Sequence, residues 1–222
     1  MKFSLNLNKI ALLRNARGEN NPCLEEFANS AINLGVDGLT LHPRPDHRHA
    51  TSNDVISLAN LAKSRNVDFN LEGNPFSEEL NEFMGFNNLV KVCQPEQITL
   101  VPDLPNQITS DHGWESGDHD QKLRESVRML KSLSSNSHIS LFVDQLKGDK
   151  ANIDIIDYAQ NIGVDGIEIF DTLLSNNKIG EGDDENYSDD DDNYDPEHDE
   201  DFGAMRADGS DDLGYDDEEE RV

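Results

Sequence analysis

Cysteine is nearly absent from this chain, and positive charge is scarce. Only Cys23 and Cys93 occur in 222 residues. Their spacing suits no metal site, so a reduced, cytoplasmic protein is expected. Lys and Arg number 18 against 46 Asp and Glu, for a formal charge of -28. Nucleic acid, which is gripped through clustered cations, is not expected as a partner. No apolar run approaches the length a bilayer requires, so no membrane partner is expected either. The opening Met1-Lys2-Phe3-Ser4-Leu5-Asn6-Leu7-Asn8 alternates polar and apolar residues. It is too short and polar for a secretion signal.

The negative charge is unevenly placed. Residues 179–222 hold 21 of the acidic residues against Arg206 and Arg221, leaving 25 acidic and 16 basic residues in 1–178. A segment so charged cannot bury enough apolar surface to offset the cost of ordering it. The chain therefore divides into a mildly acidic folded body, 1–178, and a disordered acidic tail, 179–222. Within the tail, Asp189, Asp191, Asn193 and Glu200 have the spacing of a calcium loop. Tyr194 stands where glycine is needed and Pro196 intrudes, so no metal site is expected.

The body alternates strand and helix signals. Strands are expected at Phe3–Leu7, Gly38–Leu41, Val67–Glu72, Gln97–Val101, His138–Val143 and Gly166–Phe170. Between them, Arg14 to Pro22 reads as a polar loop, and apolar residues at helical spacing follow from Leu24, stopped by Gly35. Further helices are expected after a cap at Ser52 or Asn53, from about Ser77 to Val92, Asp120 to Leu133, and Asn152 to Asn161. Asn33-Leu34-Gly35-Val36-Asp37-Gly38-Leu39 is echoed by Asn161-Ile162-Gly163-Val164-Asp165-Gly166-Ile167, the repeating helix end, glycine stop and strand of a β/α fold.

Strands separated by helices pair in parallel, and parallel sheets are normally apolar on both faces. Here one parity is apolar (Leu39, Leu41, Phe69, Leu71, Ile98, Leu100) and the other polar (Asn6, Asn8, Thr40, His42, Asn70, Glu72, Thr99, Ser140, Glu168). With the apolar parity against the helices, the polar parity converges on a common interior. That is expensive to bury without a use. The fold class expected is a TIM-type (β/α) barrel with about six recognisable units, its site at the C-terminal strand ends.

The second strand runs into His42-Pro43-Arg44-Pro45-Asp46-His47-Arg48-His49. Two prolines stiffen this loop. Its histidines suit proton transfer near neutral pH, and its arginines suit a phosphate or carboxylate. A polar surface loop is the competing reading, while a metal site is disfavoured by the two arginines. Lys2, Lys9, Arg14, Arg17, Arg44 and Arg48 all lie in the first 50 residues. Five of these six fall in the expected loops after the first two strands, a cationic mouth suited to a phosphorylated substrate.

Several stretches resemble the pyridoxine 5'-phosphate synthase family. They are Asn6 to Gly18, His42 to His49, Asn70-Leu71-Glu72-Gly73-Asn74-Pro75, Leu100-Val101-Pro102-Asp103, Ile108-Thr109-Ser110, Gly113-Trp114, Ser140 to Asp144, and Ile167-Glu168. Asn8-Lys9 and the Pro-Arg-Pro loop mark one branch of it. The resemblance implies a TIM barrel that uses neither metal nor organic cofactor. It would condense 1-deoxyxylulose 5-phosphate with 3-amino-2-oxopropyl phosphate, releasing inorganic phosphate and water. It makes His42 and Glu72 proton-transferring groups and Glu168 a stabiliser of charged intermediates. Asn6 and Arg17 would contact the amino-ketone phosphate. Asn8, Lys9, Arg44, His49 and Thr109 would hold the sugar phosphate.

The resemblance ends near Asp171. The family's glycine–histidine loops after the seventh and eighth strands have no counterpart in residues 173–222, where His198 is the one histidine. Self-association is expected of an open six-strand sheet. The alternatives are a catalytically impaired relative that binds a sugar phosphate, or an interaction protein whose acidic tail rides on a barrel scaffold.

Overall fold

Each alternation of polar and apolar residues becomes a strand with two unlike faces. The computed structural model describes residues 1–103, 107, 110–144 and 151–170, the side chains of 151–154 and 170 excepted. The expected tail, the boundary at 178 and Thr109 fall outside them. Six strands, β1 (Ser4–Asn6), β2 (Gly38–Leu41), β3 (Asp68–Gly73), β4 (Gln97–Leu100), β5 (His138–Asp144) and β6 (Gly166–Phe170), form one parallel sheet in chain order. Around them run α1 (Asn8–Arg17), α2 (Leu24–Asn33), α3 (Ser52–Arg65), α4 (Phe86–Cys93), α5 (Asp120–Leu133) and α6 (Ala151–Ile162).

Register aligns the apolar parity across the sheet: Leu39 beside Phe69, Leu71 beside Ile98, Ile98 beside Ile139, and Leu100 beside Leu141. These residues are buried in a single core with Ala28 of α2, Leu58 of α3, Leu89 of α4 and Leu123 and Leu130 of α5. The opposite face carries Thr40, Asn70, Glu72 and Thr99, all buried although polar. The sheet curls toward that face. A flat sheet sets alternate strands about 9.5 Å apart, yet Asn6 of β1 reaches Glu72 of β3, and Thr99 of β4 lies 2.9 Å from Glu168 of β6. The result is a half-barrel with a polar concave interior.

At the N-terminal edge of the sheet one device recurs. Asp37, Glu96 and Asp165 each stand just before an even-numbered strand. Each accepts a backbone N–H from the preceding strand or its approach: Phe3 at 2.8 Å, Phe69 at 2.9 Å and Ile139 at 3.0 Å. The carboxylates satisfy amides that the ladder leaves over, which is the physical content of the Asp37 and Asp165 echo.

Three elements depart from the sequence reading. Arg14 to Arg17 belong to α1, which Gly18 ends with φ at 78°, so only Gly18 to Pro22 are loop. The helix expected from Ser77 begins at Phe86. Ahead of it, Leu80 and Phe83 bridge back on each other, and Gly85, at φ 83°, has no room for a Cβ, which would lie 2.9 Å from the Glu79 nitrogen. The cap of α3 is Thr51, whose hydroxyl accepts from Asp54 N while the Asp54 carboxylate takes Thr51 N.

The segment after β4 folds back over the C-terminal strand ends. Trp114 donates its indole N–H to Leu100 O at 2.9 Å and its amide to Phe142 O at 2.8 Å. Gly113 is required there: an added Cβ would sit 2.4 Å from Val143 Cα. Among the described residues no helix is long and apolar enough to cross a membrane.

Candidate active site

The end of β1 organises the end of β2. Asn6 Oδ1 accepts the Asn8 amide at 2.9 Å, supplying a cap to α1 that Leu7 lacks. Asn8 Oδ1 in turn accepts the His42 amide at 2.8 Å. The two asparagines therefore fix the point where His42 leaves the sheet.

His42 is buried with a carboxyl group against each ring nitrogen. Nε2 lies 2.5 Å from Asp103 Oδ2, and Nδ1 lies 3.8 Å from Glu72 Oε2. Asp103 Oδ1 takes Arg44 Nη2 and the Ser110 hydroxyl, both at 3.0 Å, while Asn74 Nδ2 holds the Asp103 carbonyl at 2.7 Å. Arg44 also donates Nη1 to Gln107 O at 2.9 Å. Across the interior, the Thr99 hydroxyl lies between Glu168 Oε2 and Asn70 Oδ1.

Electrostatics sort these acids into two kinds. Burial, with the charges of Glu168 and Asp103, pushes Glu72 up to about 8. Burial likewise raises Glu168, against the opposing hydrogen bond from Thr99 and the charge of His42. Burial acts in the same direction on Asp103, but His42, Arg44 and Ser110 outweigh it and hold that carboxyl below the ordinary range. At neutral pH the site thus pairs an ionised Asp103 with a largely protonated Glu72, and His42 stands between them. A neutral acid beside an imidazole is suited to general acid–base work.

The loop carrying Arg44 and His49 is clasped from outside. Asn15 Nδ2 faces the carbonyls of His47, Arg48 and His49 at 3.2, 3.1 and 2.8 Å, and Arg14 Nη2 reaches His49 O at 3.3 Å. His49 packs edge-on to His42 with ring centroids 5.9 Å apart. Its Nδ1 accepts the Ala50 amide at 2.9 Å. Burial, with the charges of His42, Arg44 and Arg48, lowers its pKa to about 4, so His49 is neutral.

His42, Glu72 and Glu168 therefore share one interior, with Asn6, Asn8, Arg44 and His49 around it. Lys9 and Arg17 are exposed on α1 and have no polar partner among the described residues. Arg17 closes α1, about 13 Å along the helix from Asn8, and is not brought to His42 or Glu72. Thr109 lies outside the described residues. The cationic mouth is partly neutralised, since Arg14, Arg44 and Arg48 pair with Asp54, Asp103 and Asp46. Asp103, the partner of His42, was missed as a site residue. Its signals in the sequence are its place just past the end of the fourth strand and the Leu100-Val101-Pro102-Asp103 stretch in the family resemblance. No group of three His, Cys, Asp or Glu among the described residues could hold a metal ion.

A curled parallel β/α sheet with acids and an imidazole at its C-terminal strand ends is the layout of a (β/α)-barrel site. Residues 3–192 match the family described as Pyridoxal phosphate biosynthesis protein PdxJ, and the chain belongs to that family. The match extends past Asp171, where the motifs read from the sequence end. Pyridoxine 5'-phosphate synthase of Xanthomonas axonopodis pv. citri (strain 306) is 41% identical over 169 residues, covering 76% of this chain and 63% of that protein. The protein of the same name from Xylella fastidiosa (strain M12) is also 41% identical, covering 76% and 62%. The chain thus spans just under two thirds of the length of these relatives. Among solved structures, a deoxyribose phosphate aldolase from Aeropyrum pernix is 14% identical, covering 75% of this chain and 60% of that one, with a TM-score of 0.45. At that score it adds nothing to the family assignment.

Proposed function

We propose that the chain binds 1-deoxy-D-xylulose 5-phosphate at the C-terminal mouth of its half-barrel and moves protons on it during condensation with 3-amino-2-oxopropyl phosphate. The reading rests on family membership and on one observation: His42 and a Glu72 held at about 8 face each other at 3.8 Å. Protonated Glu72 supplies a proton to a departing oxygen and His42 takes one from carbon or nitrogen, each returned in a later step. Glu168, placed deeper on β6, balances positive charge that develops in between. Asn8, Lys9, Arg44, His49 and Thr109 receive the sugar phosphate. Asn6 faces the amino ketone, while Arg17, at the far end of α1, would have to reach its phosphate from outside the interior of His42 and Glu72.

The glycine–histidine loops of the family have no counterpart within residues 173–222, so residues 1–222 taken by themselves offer the second phosphate fewer anchors. Joining two molecules depends on holding both in register. Ring closure by this chain should therefore run at least about a hundredfold slower than in a curated relative, while sugar-phosphate binding persists. We also propose a cytoplasmic, self-associating protein, with the open edges of β1 and β6 among the described residues as the contact surface.

The test is a product assay on purified chain, with a curated relative as reference. Slow product formation abolished by Glu72→Gln is expected. Product at the relative's full rate would refute the anchor reading, and product unaffected by Glu72→Gln would refute the proton-transfer reading.

A further inference from the structure

We propose that Thr99 is a positioning residue for Glu168, a buried hydroxyl that turns its single hydrogen between Glu168 and Asn70 and so holds the acid across the interior in either charge state. The inference deepens the reading in which Glu168 balances positive charge during the reaction, and rests on it for its kinetic consequence. Its structural basis stands apart from that reading, in three side chains on β3, β4 and β6.

Glu168 starts from β6 and ends against β4. Its register neighbour on β5 is the apolar Phe142. One step toward the N-terminal edge, the row Glu72, Thr99, Ser140 and Gly166 crosses four strands. Gly166 and Ser140 put little bulk into the interior there. The Glu168 carboxyl reaches past β5 and brings Oε2 to 2.9 Å from Thr99 Oγ1. Among the described residues Thr99 is the one hydrogen-bond partner of that carboxyl.

Thr99 Oγ1 also lies 3.2 Å from Asn70 Oδ1. Two acceptors thus face a hydroxyl that carries one hydrogen. Thr99 is 2% exposed, so bulk water does not supply the missing donor. All three groups are satisfied when the place of the hydrogen follows the charge on Glu168. While Glu168 is protonated, its O–H donates to Thr99 Oγ1 and the Thr99 hydrogen goes to Asn70 Oδ1. When Glu168 ionises, the Thr99 hydrogen turns to Oε2, because a bond to a charged oxygen is the stronger one. The carboxyl keeps its place in both states. Removing the hydroxyl should therefore disfavour the ionised form, and removing the Asn70 acceptor should favour it.

The other charged groups around Glu168 are His42 at the end of β2, Glu72 on β3, Asp103 past β4 and Asp144 at the next interior position of β5. The experiment is a carbon-NMR pH titration of the full chain, labelled at its glutamate carboxyls, in the Glu72→Gln background. There the acid coupled to Glu168 does not titrate, and the remaining charges are common to every variant. Glu168 is assigned by the loss of its signal in Glu168→Gln.

Thr99→Val should move the Glu168 midpoint up by at least about one pH unit, the worth of a hydrogen bond to a charged group. Thr99→Ser keeps the hydroxyl and should stay within about 0.3 unit, whereas Asn70→Leu should lower the midpoint by about 0.5 unit. With Glu72 restored, turnover of Thr99→Val should fall at least about tenfold and return in Thr99→Ser, with sugar-phosphate affinity within about threefold throughout.

A Thr99→Val midpoint within about 0.3 unit of the parent would overturn the proposal, as would an upward shift in Asn70→Leu. Should Asn70→Leu fail to fold, the two Thr99 variants decide. Shifted midpoints with turnover unchanged would refute the part of Thr99 in the reaction and count against Glu168 as its charge balancer. Shifted midpoints in a chain that makes no product would uphold the hydroxyl's role and count instead against the ring-closing function.

Discussion

Arg14 grips Asp54 with both prongs of its guanidinium, Nη1 to Oδ1 at 2.5 Å and Nη2 to Oδ2 at 2.9 Å. The pair joins the last turn of α1 to the first turn of α3, and the loop of His47 to His49 hangs from that joint. Breaking it leaves an unpaired carboxylate that is only 15% exposed. Arg14→Ala should lower stability by about 2 kcal/mol, read as a shift in the urea midpoint at constant slope. Arg14→Lys should recover little, since lysine lacks the fork. An unchanged midpoint in the alanine variant would show the joint to be dispensable.

Burial raises the Asp54 pKa, but Arg14 and Thr51 outweigh it and hold the carboxyl below its usual value. That contribution is complete above the unfolded pKa and is lost as pH falls through the folded one. Acid should therefore erase the stability gap between the unsubstituted chain and Arg14→Ala.

Glu72 acts with the opposite sign. Its folded pKa of about 8 lies above the usual 4.5, so between these values the folded state holds a proton that the unfolded chain releases. Stability contributed by the protonated form is complete below 4.5 and is lost as pH rises toward 8. Glu72→Gln removes the group that must be kept neutral. The variant should match the parent near pH 4.5 and exceed it near pH 8 by on the order of 4 kcal/mol, with no activity. A variant less stable than the parent at both pH values would mean that Glu72 is not held protonated by the fold.

His49 gives the acid limb. Its pKa falls from 6.5 to about 4 on folding, so the unfolded chain binds the extra proton in that interval. Stability should decline as pH drops from about 6.5 to about 4, and His49→Asn should flatten that part of the profile. Asparagine can still accept the Ala50 amide, so the comparison isolates the titration. An identical profile in the variant would point to other groups.

The carboxylates at the N-terminal edge should matter for stability alone. Asp37→Ala removes the acceptor for Phe3 N at a surface position. A loss of about 1 kcal/mol is expected, with sugar-phosphate affinity unchanged. Weakened binding would mean that the two ends of the sheet are coupled.

The half-barrel was legible because strand parity is a local signal: Leu39, Thr40, Leu41 and His42 announce their faces without knowledge of their neighbours. Asn70 and Glu72 likewise declared an interior with polar work to do. Helix α1 was missed in the reading because Ile10, Ala11, Leu12 and Leu13 are contiguous rather than spaced by three and four, and Leu12 and Leu13 are exposed. The start of α4 was misplaced because the turn at Leu80 to Gly85 is set by a glycine at positive φ amid helix-forming residues. Asp103 is 61 positions from His42, and only the curl of the sheet brings them together. The pairing of Arg14 and Arg44 with distant acids was invisible without the fold, and Arg48 is held by Asp46 within its own loop, so the sequence overstated the free positive charge.

We propose that this mouth holds a sugar phosphate through the loop that Arg44 anchors. Calorimetric titration of the purified chain with 1-deoxyxylulose 5-phosphate tests it most directly, with Arg44→Ala alongside. Saturable binding at one site is expected, weakened at least about tenfold by the substitution, roughly 1.4 kcal/mol. No binding heat from the folded chain, or equal affinity in the variant, would contradict it.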